Sequence, residues 1–172
     1  HSLDKFLAFK SLQSVIIVIS DDNKMHLSDR IKNNPLVHFV SEGNNRKTSI
    51  YNALKSFSNV NNEDNILIHD AVRPLISHQD IKVILLSMNQ NEAATLCCPI
   101  TETLIKNNTP LDRKDIIAIQ TPQAFKYLTI LKAHEKFKEV NSFTDDAGLV
   151  RANGGHVELI TARNPNIKIT TS

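Results

Sequence analysis

The chain has 172 residues, 41% hydrophobic and 22% charged, with a formal net charge of +2 at pH 7, the profile of one soluble globular domain with room for a real core. Its basic residues are scattered, its aromatics amount to 5% and it has no Trp, which argues against a base-stacking nucleic-acid surface. No apolar run approaches membrane-spanning length, so neither nucleic acid nor a membrane is expected as a partner.

Leu3, Phe6, Leu7 and Leu12 mark the end of an amphipathic helix, and residues 15–19 form an apolar strand closed by the turn cluster Ser20–Asp21–Asp22–Asn23. A short helix is expected over 26–32, with Pro35 ending that unit, and a strand over 37–40. The turn Gly43–Asn44–Asn45–Arg46 leads into a helix over 47–57 that carries Ile50, Leu54 and Phe57 on one face. Residues 58–64 are polar and read as a surface loop. Asn65–Ile66–Leu67–Ile68 then reads as a buried parallel strand running into His69–Asp70, with Arg73–Pro74 before the next helix. Ser77 with Asp80 makes a capping-box variant for that helix, and Ile81, Ile84 and Leu85 supply its apolar face. A strand over 93–98 ends at Pro99, and the alternating stretch from about 100 to 120 reads as a projecting two-stranded arm with a turn near Asn107–Asn108. Pro122 is expected in the first turn of a long helix reaching about residue 138, and Thr144 to cap another, with Asp145 and Asp146 in its first turn and Gly154–Gly155 at its end. Strands over 156–160 and 167–169 close the chain. Alternation of strands and helices predicts an α/β fold, a doubly wound and mostly parallel sheet in a single domain over residues 1–172.

The chemistry-bearing residues cluster at strand ends and turns. Ligands of open α/β sheets bind just outside the carboxyl ends of the strands, which is where Asp70 stands, with the Arg73 fork three residues on. Taken alone, the pair could equally be a capped turn with its own ion pair. The turn at Gly43 offers backbone N–H groups, the Ser49 hydroxyl and a helix N-terminus. Gln120–Thr121–Pro122–Gln123 places a hydroxyl and two amides at a strand-to-helix junction. Lys168 stands alone inside the β-type run Asn166–Ile167–Lys168–Ile169–Thr170, where an edge strand would use it against aggregation. Arg73, Arg113 and Lys168 as cations, Asp70 for a divalent metal or a hydroxyl, and Ser49 and Thr121 as donors together suit phosphate chemistry, which needs positioning and charge neutralisation. The seven His residues show no His-x-x-x-His spacing, and the adjacent Cys97 and Cys98 suit neither a zinc clamp nor a disulfide, as expected of a cytoplasmic protein.

Five motifs in order carry a family resemblance. They are Gly43-x-x-Arg46-x-x-Ser49; Ile68–His69–Asp70–Ala71–Val72–Arg73–Pro74–Leu75; Gln120–Thr121–Pro122–Gln123–Ala124–Phe125; Thr144–Asp145–Asp146–Ala147; and Asn166–Ile167–Lys168–Ile169–Thr170–Thr171. Together they resemble the 2-C-methyl-D-erythritol 4-phosphate cytidylyltransferases, the CTP-using enzymes of the non-mevalonate isoprenoid pathway. The resemblance implies a Rossmann-like nucleotidyltransferase fold, a homodimer formed through the arm, CTP and methylerythritol phosphate as substrates, and Mg²⁺ as cofactor. It implies that Asp70 binds the metal, and that Gly43, Asn44, Ser49 and Ala71 contact the cytidine, with Asn44 standing where the family often has Asp. Arg73 and Thr121 would hold the methylerythritol phosphate, and Thr103 and Arg113 would reach the same substrate across the dimer. Lys168 would contact the nucleotide phosphates and, with Asp70 and Arg73, carry catalysis. The family's N-terminal Gly-rich loop, with its Arg and Pro-Lys pair, and its last helix have no counterpart here, so the chain is expected to be incomplete at both ends. Three rivals stand beside this reading: a ribitol or other pentitol-phosphate cytidylyltransferase, the cytidylyltransferase half of a bifunctional enzyme fused to the cyclodiphosphate synthase, and a catalytically dead nucleotide-binding module. The cellular setting implied is a bacterial cytosol, or a plastid-type organelle in a eukaryote.

Overall fold

A computed structural model describes residues 2–140, 142–163 and 166–170. The elements are α1 (Ser2–Leu7), β1 (Val15–Val18), α2 (Asp21–Met25), α3 (Asp29–Lys32), β2 (Val37–Val40), α4 (Arg46–Ser56), β3 (Asn65–Ile68) and α5 (His78–Ser87). They continue as β4 (Ala93–Pro99), β5 (Ile105–Lys106), β6 (Thr109–Pro110), β7 (Ile117–Lys126), α6 (Tyr127–Lys136), α7 (Asp146–Ala152) and β8 (Glu158–Thr161). Among the described residues, the strands form a four-stranded sheet in the order β3-β7-β4-β8, a β1-β2 pair and the two-stranded β5-β6 arm. β1 and β2 pair parallel, and so do β4 and β8, whereas β7 runs antiparallel to both of its neighbours. So β3, expected as a buried parallel strand, is instead a half-buried edge strand paired antiparallel to β7.

Successive side chains on a strand face opposite ways, and the two cores follow that alternation. Ala93 and Phe125 join Leu54, Ile130, Ala133 and Leu149 on the face covered by α4, α6 and α7. Ala94, Leu96 and Ala124 join Ile76, Ile81, Ile84 and Met88 on the face covered by α5. The sheet is therefore covered on both faces, as the α/β pattern requires. Cys97 is buried and Cys98 only partly so, and both thiols are free. Lys47 ties α4 to the end of α6, its ammonium donating to the carbonyls of Phe137 (2.8 Å), Lys138 (2.6 Å) and Val140 (2.6 Å).

Several elements differ from the sequence reading. Pro122 does not open a helix: it lies inside β7, after a cis Thr121–Pro122 peptide, and α6 starts only at Tyr127. A proline is tolerated there because no regular ladder bond is lost. β3 pairs no further than Gln123, and the β4 register shifts between Thr95 and Cys97 opposite residues 120–122. A short helix, α2, stands where a turn was expected, with Ser20 accepting from the Asn23 N–H at 3.3 Å at its start, and the helix expected over 26–32 shrinks to α3. Asp145, not Thr144, caps α7, its side chain accepting from the Gly148 N–H at 3.0 Å. Residues 167–169 form no strand, although the Ile169 N–H donates to the Val72 carbonyl at 2.9 Å. His1, the Asn164–Pro165 step, Thr171 and Ser172, on which parts of the motifs fall, lie outside the described residues.

Candidate active site

The turn after β3 is held by a hydrogen-bonded circuit. The Arg73 N–H donates to the Asp70 carbonyl at 3.0 Å, and the Asp70 N–H donates to the Thr121 hydroxyl at 3.0 Å. Thr121 Oγ1 also lies 3.1 Å from His69 Nδ1, and His69 Nε2 lies 3.2 Å from the Arg73 carbonyl. A carbonyl only accepts, so Nε2 carries the ring proton, Nδ1 accepts, and the Thr121 hydroxyl donates to it. The irregular stretch of β7 thereby fixes the turn that presents Asp70 and Arg73.

Three cations converge on Asp70: Lys168 Nζ at 3.0 Å, Arg46 Nε at 3.6 Å and Arg73 Nε at 3.8 Å. Burial pushes the Asp70 carboxyl up, but the Lys168 hydrogen bond and the charges of Arg46, Lys168 and Arg73 outweigh it and hold the pKa below the usual value. Lys168 is thus a cation of the site, not an edge-strand guard. Its segment is anchored by the buried Asn166, whose side-chain Nδ2 donates to the Thr121 carbonyl at 2.7 Å and whose backbone carbonyl accepts from Arg73 Nη1 at 2.7 Å. The surrounding cleft, about 290 Å³, is lined by Arg46, Asp70, Arg73, Ile119, Gln120, Thr121, Gln123, Thr144, Asp145, Arg151 and Lys168. Its charge is dominated by guanidinium and ammonium groups, and a phosphate-rich ligand suits it.

Asp70, Arg73, Thr121 and Lys168 are therefore brought together as expected. Gly43, Asn44, Ser49 and Ala71 border this constellation along the chain without lining the cleft. The Gly43 N–H donates to Ser49 Oγ at 2.9 Å, and a Cβ on Gly43 would fall 2.7 Å from Thr48 Cβ, so the loop lies flat on the start of α4. Thr103 and Arg113 sit on the exposed arm, where Arg113 donates to the Thr101 carbonyl, and neither reaches the cleft of its own chain.

Sequence reasoning assigned no role to Arg46, Arg151 or Gln123. One signal was present. α4 opens with Arg46–Lys47 and has no acid in its first turn, the wrong sign for a helix N-terminus, so a carboxylate elsewhere had to answer it. That carboxylate is Asp146, whose Oδ2 stands 2.8 Å from Arg46 Nη2. Gln123 stood out as an amide of the 120–123 junction, but the helix reading of its segment gave no sign of its partners on α7.

A family model, 2-C-methyl-D-erythritol 4-phosphate cytidylyltransferase, matches residues 1–172. The chain belongs to this family. The cytidylyltransferase of that name from Dictyoglomus thermophilum is 35% identical over 183 residues, spanning 99% of this chain and 78% of that protein. The Clostridium botulinum protein of the same name is 36% identical over 182 residues, with 99% and 78% covered. Among solved structures, the 4-diphosphocytidyl-2C-methyl-D-erythritol synthase of Anaerococcus prevotii superposes with a TM-score of 0.86 at 26% identity, over 98% of this chain and 78% of that one. The bifunctional IspDF of Campylobacter jejuni shares the fold (TM-score 0.77, 24% identity), with 98% of this chain against 42% of that one. The fold is thus the nucleotidyltransferase α/β fold expected, and the chain is an enzyme of the cytidylyltransferase class.

The circuit around His69 has a measurable consequence. Burial pushes the His69 ring below its ordinary 6.5, an effect only partly offset by the Arg73 carbonyl. As pH falls through 6.5 the unfolded chain takes up a proton that the folded chain refuses, so folding stability drops until the lower folded pKa is passed. The urea midpoint should therefore fall between about pH 7.5 and about pH 5, and fall less in His69→Gln. Equal slopes in both proteins would refute this account of the ring.

Proposed function

We propose that the chain transfers the cytidylyl group of CTP to 2-C-methyl-D-erythritol 4-phosphate and releases pyrophosphate, a step of isoprenoid precursor synthesis. The observation that carries this reading is the convergence of Lys168, Arg46 and Arg73 on Asp70 in one cleft of a chain of this family. The reaction is an in-line attack of the acceptor's phosphate oxygen on the α-phosphorus of CTP. Its charge accumulates on the non-bridging oxygens and the departing pyrophosphate, so fixed cations are the chief catalytic need. Lys168 and Arg73 meet it in this reading, with Lys168 toward the nucleotide phosphates and Arg73 and Thr121 toward the acceptor phosphate. Gly43, Asn44, Ser49 and Ala71 border the cytidine.

Asp70 is the proposed Mg²⁺ ligand. Among the described residues no group of three or more His, Cys, Asp or Glu could hold a metal, but Mg²⁺ with nucleotides commonly takes one or two carboxylates and completes its shell with phosphate oxygens and waters. A single carboxylate held ionised by its neighbours fits that donor set. When bound, the ion would draw phosphate charge and orient the triphosphate. The homodimer is supported by the arm, which carries exposed Ile105, Leu111 and Ile117 and bears Thr103 and Arg113 away from their own cleft. A cytosolic location is supported by the two free thiols.

The test is pyrophosphate release by the full-length protein with Mg²⁺ and CTP, offered methylerythritol phosphate and ribitol 5-phosphate in parallel. Release with the methylerythritol substrate alone is expected. Release with ribitol phosphate alone, or with neither acceptor from a folded protein, overturns the proposal.

A further inference from the structure

Behind the cleft lies a buried hydrogen-bonded pair that the roles above leave unused. His134 on α6 and Asp146 at the start of α7 are 2% and 1% exposed, and His134 Nε2 lies 3.0 Å from Asp146 Oδ1. The other carboxylate oxygen, Oδ2, faces Arg46 Nη2 at 2.8 Å, a charge contact without the alignment of a hydrogen bond. Arg46 is the first residue of α4, lines the cleft, and holds its Nε 3.6 Å from Asp70 Oδ1. The His134 ring also lies nearly parallel to that of Tyr51 on α4, with centroids 6.4 Å apart and planes at 20°. Helix α4 is thus engaged at its first residue by Asp146 and, further along, by His134.

We propose that His134 and Asp146 are positioning residues for the transfer reaction, acting through Arg46. The inference rests on the cleft being the cytidylyl-transfer site. A guanidinium on a long flexible stem is a poor electrostatic catalyst unless its place is fixed beforehand, because ordering it during the reaction costs side-chain entropy. Asp70 cannot supply that anchor throughout, since it shares its charge with Lys168 and Arg73 and faces the substrates. Asp146 can. It is out of water, its Oδ1 is occupied by His134, and its Oδ2 is left with Arg46 as its charged partner. His134 sets the carboxylate's rotation, the carboxylate sets the guanidinium, and the guanidinium meets phosphate charge at the cleft wall. The pairing also answers the unfavourable placement of a cation at the N-terminus of α4.

The experiment is a double-mutant cycle on the full-length protein, following pyrophosphate release and thermal unfolding for Asp146→Asn, Arg46→Met and the pair. Asp146→Asn should lower kcat about tenfold while KM for CTP moves less than about threefold. The double variant should be no slower than Arg46→Met alone, because the lost anchor has nothing left to hold. Additive losses in kcat, or a drop in melting temperature with kcat intact, would overturn the inference. Should Asp146→Asn fail to fold, His134→Gln takes its place in the same cycle, with the same non-additivity expected and additivity again decisive against it. A wild-type protein silent with CTP and methylerythritol phosphate would instead count against the proposed reaction, so the two failures are distinguishable.

Discussion

Replacing Asp70 by Asn should lower kcat for pyrophosphate release by about 10²–10³-fold with the fold retained. The two side chains have nearly the same shape, and the backbone contacts of the turn, from Asp70 N–H to Thr121 and from Arg73 N–H to the Asp70 carbonyl, do not involve the carboxylate. What disappears is the one negative charge on which Lys168, Arg46 and Arg73 converge. Without it Lys168 loses its carboxylate partner and the three cations repel each other across the cleft, although Arg46 keeps Asp146 and Arg73 keeps the Asn166 carbonyl, and the proposed metal ligand goes with it. Circular dichroism and a melting curve check the fold, and pyrophosphate release checks the activity. A folded Asp70→Asn protein within threefold of wild type would remove Asp70 from the site.

Gln123→Leu should be the most damaging change away from the cations, costing about 4 kcal/mol of stability. Gln123 is fully buried on β7, and both ends of its amide are used across to α7. Its Nε2 donates to Asp145 Oδ2 at 2.9 Å, and its Oε1 accepts from the Ala147 N–H at 3.0 Å. Leucine fills a similar volume but leaves a partly buried carboxylate oxygen and a buried N–H without this partner, each costing about 1–3 kcal/mol. For a chain of this length the melting temperature should fall by roughly 10 °C. Urea denaturation measures it directly, and a midpoint unchanged from wild type would mean that water or another group takes over both contacts. Because α7 also carries Asp146, the surviving folded fraction should show weakened control of Arg46, visible as a reduced kcat.

Some of this architecture is written locally. The β3 strand ending near Asp70 and the Ser77 cap with Asp80 follow from short-range pattern, and the structure carries both, with Ser77 Oγ accepting from the Asp80 N–H at 3.0 Å. The arm around Asn107–Asn108 is likewise local, its two Asn residues taking positive φ at the turn. Pro122 misled because proline at a helix start and proline at a break in strand pairing look alike in sequence. Only the β4 register shift distinguishes them. The same break brings Gln120 and Thr121 into the cleft lining, so the point where local reading failed is part of the site.

By itself, the sequence determined the fold class, the family and the identity of Asp70, Arg73, Thr121 and Lys168 as a group, because alternating apolar runs and spaced motifs are local properties of a chain. Tertiary structure alone decided that Lys168, nearly a hundred residues from Asp70, closes to 3.0 Å on it, and that Arg46 answers to Asp146 and His134. It also decided that Gln123 faces α7 rather than opening a helix. These are pairings between distant segments. Their energy comes from charges and hydrogen bonds removed from water together, which no periodicity in a single segment encodes.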